Sequence, residues 1–85
     1  MKHFASPSFW ECYEKLPIHI KNLADKNFET LKKNFHHPSL HFKKVNHYWS
    51  VRVSTGYRAL SIEIEEDLLW FWLGTHAEYD KLIEK

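Results

Sequence analysis

Eighty-five residues with 12 Lys/Arg against 11 Asp/Glu make one small, nearly neutral domain, close to the lower limit of what folds without metals or disulfides. A single cysteine, Cys12, excludes an internal disulfide and fits a reducing, cytosolic setting. The longest apolar run, Leu68 to Leu73, is far too short to cross a bilayer, and four Trp, four Tyr and six Phe are left to build a core.

Ser6-Pro7 reads as a helix start, with Ser as N-cap and Pro at the first helical position. Phe9, Tyr13 and Leu16 follow at helical spacing, with Trp10 beside them, until Pro17 closes that helix and opens the next. Ile20, Leu23, Ala24, Phe28, Leu31 and Phe35 then form an apolar stripe, with Lys21, Asp25, Lys26, Lys32 and Lys33 on the wet face. His36-His37-Pro38 stops it, because the residue before a proline is pushed out of helical geometry. From Leu40 the period changes to two: Leu40 and Phe42, then Trp49, Val51 and Val53 alternating with Tyr48, Ser50, Arg52 and Ser54. Thr55-Gly56 is a two-residue hairpin turn, followed by a strand over Tyr57 to Glu65, a polar turn at Glu66-Asp67, and a strand over Leu68 to Leu73. A short last helix covers about Ala77 to Glu84, and the residues after Met1 offer a marginal edge strand. The expected fold is α+β: an amino-terminal helical hairpin packed on one face of a small antiparallel sheet of about four strands, with a short carboxy-terminal helix.

These turns imply a register. Val53 faces Arg58, Val51 faces Leu60 and Trp49 faces Ile62; Ile64 then faces Leu69, Ile62 faces Phe71 and Leu60 faces Leu73. That side is apolar and suits the helices. The other side carries Tyr48, Ser50, Arg52, Tyr57, Ser61, Trp70, Trp72 and, at its end, His76.

Charge is unevenly spread. Thr30 to Ile62 contains no acid, while Lys32, Lys33, Lys43, Lys44, Arg52 and Arg58 give it +6. Glu63 to Lys85 carries seven acids against Lys81 and Lys85, a balance of −5. Such asymmetry points to a localised anion-binding face. An open sheet face with Arg and aromatic rings suits RNA, and packing of Trp70 and Trp72 against the last helix or a partner explains the same residues. Lys43 and Lys44 are adjacent on a strand and point to opposite sides, where an edge-strand lysine also guards against aggregation. His76 can act as a base toward a ribose 2′-hydroxyl, with Arg52 or Arg58 neutralising phosphate; capping of the last helix is its plain structural role. His36, His37 and His41 are close in sequence, but Pro38 breaks the helix that would align them as metal ligands, and no second Cys completes a zinc site. No metal or cofactor is expected. Cys12 reads as buried and inert.

The run Tyr48-Trp-Ser-Val-Arg-Val-Ser-Thr-Gly-Tyr-Arg-Ala-Leu-Ser61, followed by Phe71-Trp-Leu-Gly-Thr-His76 and Glu78-Tyr79-Asp80, resembles the RelE/ParE toxin superfamily of bacterial type II toxin–antitoxin modules. The helical hairpin and the His37-Pro38-Ser39-Leu40 lead-in agree, so the resemblance spans most of the chain. It implies a toxin held inactive by a cognate antitoxin. In RelE-like members the activity is endoribonuclease cleavage of mRNA on the ribosome by 2′-hydroxyl attack; the ParE branch inhibits DNA gyrase without that chemistry. Carried over by position, the implied catalytic residues are Arg58 and His76, with Arg52 and Tyr79 beside them. The lysine-bearing strand falls on Lys43 and Lys44 as implied RNA-binding residues; His41 in the acid-free segment and Tyr57 on the expected open face are candidates beside them. Two departures stand out. Some members place a Glu base before that strand, and here no acid lies between Glu29 and Glu63, so His76, His41 or a lysine must serve. The register also turns Arg58 to the helix side, which leaves open whether Arg52 or Arg58 is the functional arginine. A cytoplasmic ribosome-dependent endoribonuclease, a gyrase inhibitor and a degenerate antitoxin-binding domain all remain open.

Overall fold

Local rules place the elements of the hairpin. The Ser6 hydroxyl accepts from the Phe9 N–H at 3.3 Å and Pro7 takes the first helical position, so α1 runs over Pro7–Glu14. The Pro17 carbonyl accepts from the N–H groups of both Ile20 and Lys21 at 3.0 Å, starting α2 at Ile18–Lys33. The computed structural model describes residues 2–84. Strands β1 (His3–Ala5), β2 (Lys43–Val45), β3 (Tyr48–Ser54), β4 (Tyr57–Ile64) and β5 (Asp67–Thr75) form one sheet in the order β1-β5-β4-β3-β2, and α3 (His76–Ile83) closes the chain. The marginal amino-terminal edge strand is therefore a fifth strand, and it pairs parallel to β5, which makes the sheet mixed. Among the described residues no helix is long and apolar enough to cross a membrane.

The hairpin lies on one face, α1 over β5 and α2 over β3. Leu16, Ile20 and Leu31 pack there on Val51, Val53, Ala59, Leu68, Trp70 and Leu73, with Leu40 sealing the end of the layer. Each such Leu, Ile or Val contributes about 1.5–3 kcal/mol when fully buried. α3 lies on the opposite face, where Tyr79 and Leu60 are buried and Leu82 lines a small hollow with Tyr48, Leu60, Phe71 and Trp72. Its far end is tied down by the Asn46 side chain, which donates to the Ile83 carbonyl at 2.6 Å. The face expected to be open is thus partly roofed by the last helix. Trp72 packs beneath that roof.

Three local features change the expected register. Thr55-Gly56 is the loop, with Ser54 opposite Tyr57, but Val53 is an extra residue in β3, so Arg52 pairs with Arg58, Val51 with Ala59 and Ser50 with Leu60. A single bulge of this kind moves every later side chain of the partner strand to the other face. The second turn is Glu65-Glu66 rather than Glu66-Asp67, with φ of 50° and 77° and Ile64 opposite Asp67. Consecutive positive φ values are those of a type I′ hairpin turn. Finally, Phe71 is an extra residue in β5, so Leu60 pairs with Trp72 but Ser61 with Trp70. Trp70 and Ser61, both expected on the open face, are therefore buried on the hairpin side. Arg58 and Leu60, expected beneath the hairpin, face α3.

Gly74 marks where α3 leaves the sheet. A Cβ at this position would come within 2.5 Å of Trp72 Cζ2 and 3.1 Å of Glu78 Oε1, the carboxylate that caps α3. Gly74→Ala is expected to destabilise the domain by about 1–3 kcal/mol through overpacking. A urea denaturation midpoint unchanged from wild type would contradict this account of the corner.

Candidate functional site

The cross-strand pair Arg52–Arg58 lies on the α3 face, at the end of the sheet formed by the β3–β4 turn. Both side chains lean on that turn. Arg52 Nη2 donates to Thr55 Oγ1 at 3.0 Å, while Arg58 Nη1 donates to the Ser54 and Tyr57 carbonyls at 2.7 and 2.9 Å. Nε and Nη2 of Arg58 have no such partner among the described residues. A guanidinium offers five N–H donors, so each arginine keeps donors for a ligand. Like charges placed directly opposite in a sheet are destabilising. Burial and the neighbouring Arg52 hold the Arg58 guanidinium below its ordinary value, with Tyr79 and Asp80 pulling the other way; it remains charged at any physiological pH. An anion seated between the two would relieve the repulsion.

His76 is tied by its backbone to the same turn. Thr75, opposite Tyr57 at the end of the ladder, is the N-cap of α3 and forms a capping box with Glu78. Thr75 donates to Glu78 through its backbone and hydroxyl, which holds that carboxyl below the usual range. His76 begins the helix, and its N–H donates to the Gly56 carbonyl at 2.8 Å, tying α3 to the same β3–β4 turn that gathers the arginines. Capping thus falls to Thr75, and the imidazole is left exposed, with Nδ1 3.1 Å from Asp80 Oδ2 and its ring 5.7 Å from that of Tyr79.

The structure brings together Arg52, Arg58, His76 and Tyr79, the last with its ring buried at 4 % exposure beneath α3. Lys43 pairs with Ser50 and shares their face at the β2 edge, whereas Lys44 turns to the hairpin side, its Nζ 5.9 Å from the Trp49 ring. His41 stands in the left-handed region at φ 47° before the ladder begins at Lys43, out of register with Arg52. Tyr57, adjacent to Arg58 in sequence, packs against the hairpin-side core and is separated from the arginines by the sheet. Asp80 was not among the expected site residues. The signal for it was the i, i+4 spacing from His76, which puts both on one helix face.

A family model described as "ParE-like toxin domain" matches residues 19–81. No curated protein sequence matches. Among solved structures, the chain is similar to a RelB–RelE antitoxin–toxin complex from Methanococcus jannaschii (TM-score 0.73, 13% identity, covering 93% of this chain and 96% of that one). It is also similar to a YoeB/ParE toxin from Agrobacterium tumefaciens (TM-score 0.67, 16% identity, 89% and 99% covered). A third likeness is to the isolated E. coli RelE toxin (TM-score 0.62, 12% identity, 98% and 95% covered). At these identities the structural likeness is one of fold.

Proposed function

The chain belongs to the RelE/ParE superfamily of toxins, and from that premise we propose that it is an RNA-cleaving toxin, a ribosome-dependent mRNA endoribonuclease neutralised in the cytoplasm by a cognate antitoxin. The observation that carries this reading is the Arg52–Arg58 pair on the α3 face, with the exposed His76 at the start of the helix that the Gly56 carbonyl ties to the same β3–β4 turn. Attack of a 2′-hydroxyl on the adjacent phosphate needs a base for the hydroxyl proton and positive charge for the pentacoordinate phosphorane oxygens. His76 takes the proton, the P–O2′ bond forms as the P–O5′ bond breaks, and solvent at this exposed edge protonates the departing oxygen. Arg58 and Arg52 hold the phosphate, Lys43 follows the backbone from the edge strand, and Tyr79 forms the floor. The antitoxin partner rests on the RelB–RelE complex among the similar structures.

The test is expression from a tight promoter. Growth arrest is expected together with transcripts cut to 2′,3′-cyclic phosphate ends, and RNA carrying a single 2′-deoxy substitution at the cut is expected to survive in a purified ribosome assay. Intact transcripts during arrest would remove the nuclease reading. The ParE-like description of the matching family model favours a second reading, gyrase inhibition without chemistry. That version predicts a DNA-damage response and toxicity that survives His76→Ala. Harmless accumulation of folded protein would leave a domain that only binds its antitoxin.

A further inference from the structure

We propose that Asp80 is a positioning residue: it holds the His76 imidazole with its proton on Nδ1 and so makes Nε2 the basic atom of the site. The assignment of Nε2 to proton transfer rests on the nuclease reading above. The geometry behind it is the 3.1 Å contact between Nδ1 and Asp80 Oδ2. A carboxylate only accepts hydrogen bonds, so the ring nitrogen facing it must carry the hydrogen, and the neutral ring then presents its lone pair at Nε2. A solvated imidazole with no such partner mixes both tautomers.

Three further observations separate this role from ordinary helix electrostatics. Glu78, the other acid in the first turns of α3, is consumed by the capping box with Thr75, so the macrodipole and the cap already have their carboxylate. The His76 backbone is fixed from the other side by the Gly56 carbonyl, so Asp80 has only the ring's rotation left to decide. Both side chains are about half exposed, at 46% and 49%, and exposed i, i+4 pairs add little to stability. Asp80 also lies near enough to favour the charge on Arg58. It therefore stands beside both the base and one phosphate-holding cation.

The experiment uses the whole chain with ¹⁵N-labelled histidine, and reads the His76 tautomer from long-range ¹H–¹⁵N correlations at a pH where the ring is neutral. The wild type is expected to show the Nδ1–H form, Asp80→Asn a mixed or Nε2–H form, and Asp80→Glu a return toward Nδ1–H. In parallel, Asp80→Asn is expected to slow single-turnover RNA cleavage at least about tenfold, with unchanged affinity for a 2′-deoxy substrate and an unchanged denaturation midpoint. In a serine-protease triad, where the aspartate is buried, the corresponding loss is about 10⁴-fold. A wild-type ring in mixed tautomers, or an Asp80→Asn protein that keeps both the Nδ1–H form and the full rate, overturns the proposal. A wild type with the Nδ1–H form that leaves RNA intact sinks the nuclease reading instead, and the ring-orienting role of Asp80 stands.

Discussion

Trp70→Ala is expected to cost about 3–5 kcal/mol, the range for removing a buried large aromatic side chain, and that is a large share of the stability of so small a domain. Trp70 is 4% exposed and sits in the hairpin-side core. Its Nε1–H donates to His3 Nδ1 at 3.0 Å, and the two rings stack at 6.2 Å, with Phe28 edge-on to His3 at 5.8 Å. The indole thus fills the core and fastens β1, which is only three residues long, to β5. Trp70→Phe keeps most of the apolar area but abandons the His3 acceptor, at about 1 kcal/mol. Circular dichroism in urea distinguishes the three proteins; an Ala variant as stable as the Phe variant would contradict the packing argument.

The same contact sets a pH dependence. Burial lowers the His3 pKa from 6.5, helped by the chain's amino-terminal charge and Lys32, while Asp67 opposes. Accepting the Trp70 hydrogen bond acts in the same direction, since it requires Nδ1 unprotonated. The folded state therefore binds fewer protons than the unfolded chain. His3's contribution is fully present above about 6.5 and is lost as pH falls through that value toward the lower folded one. Urea midpoints at pH 7.5 and 5.5 are expected to differ more in wild type than in His3→Phe. Equal differences would remove His3 as the cause.

How far the sequence could be read depended on where the information was stored. The helices announced themselves through local chemistry: Ser6-Pro7, Pro17 and His37-Pro38 bracket them, and of the apolar stripe Ile20 and Leu31 are buried while Leu23 and Phe28 stay exposed. The Thr55-Gly56 loop was equally legible. The bulges were not, because Val53 and Phe71 are ordinary strand residues and nothing in their identity says that one of them is surplus. The Glu65-Glu66 turn was displaced by one for a related reason: its positive φ values fall on residues that rarely signal them. Strand alternation carries such errors forward. That is why Trp70 was expected outside and Arg58 inside, while Trp72, between one bulge and the next, was expected on its true face. α3 was legible as a helix, but its place over the sheet depends on contacts such as Asn46 to Ile83 that only the fold creates. The question of whether Arg52 or Arg58 faces the site had assumed a regular ladder. The bulge puts both on the α3 face.

Arg58→Ala is expected to reduce RNA cleavage by about 10²–10³-fold, the range for deleting one preorganised donor to a developing oxyanion. A competing effect must be separated from this. Arg58 Nη1 also caps the β3–β4 turn through the Ser54 and Tyr57 carbonyls, and hydrogen bonds from a charged group contribute about 1.5–3 kcal/mol each at most. Half-burial and the removal of Arg52 repulsion reduce that loss, so the alanine variant should fold with a lowered midpoint. Arg58→Lys separates the two: it keeps a cation and a donor for the carbonyls but loses the planar fork that grips phosphate at two points. Its midpoint should stay near wild type while its cleavage rate falls at least about tenfold. Arg52 Nη2 donates to the Thr55 hydroxyl, so Arg52→Lys should lose rate with still less change in stability. If both lysine variants cleave at the wild-type rate, the guanidinium pair belongs to the turn and not to the chemistry. If Arg58→Ala still arrests growth while leaving transcripts whole, the poison is delivered by binding, and the gyrase reading takes precedence.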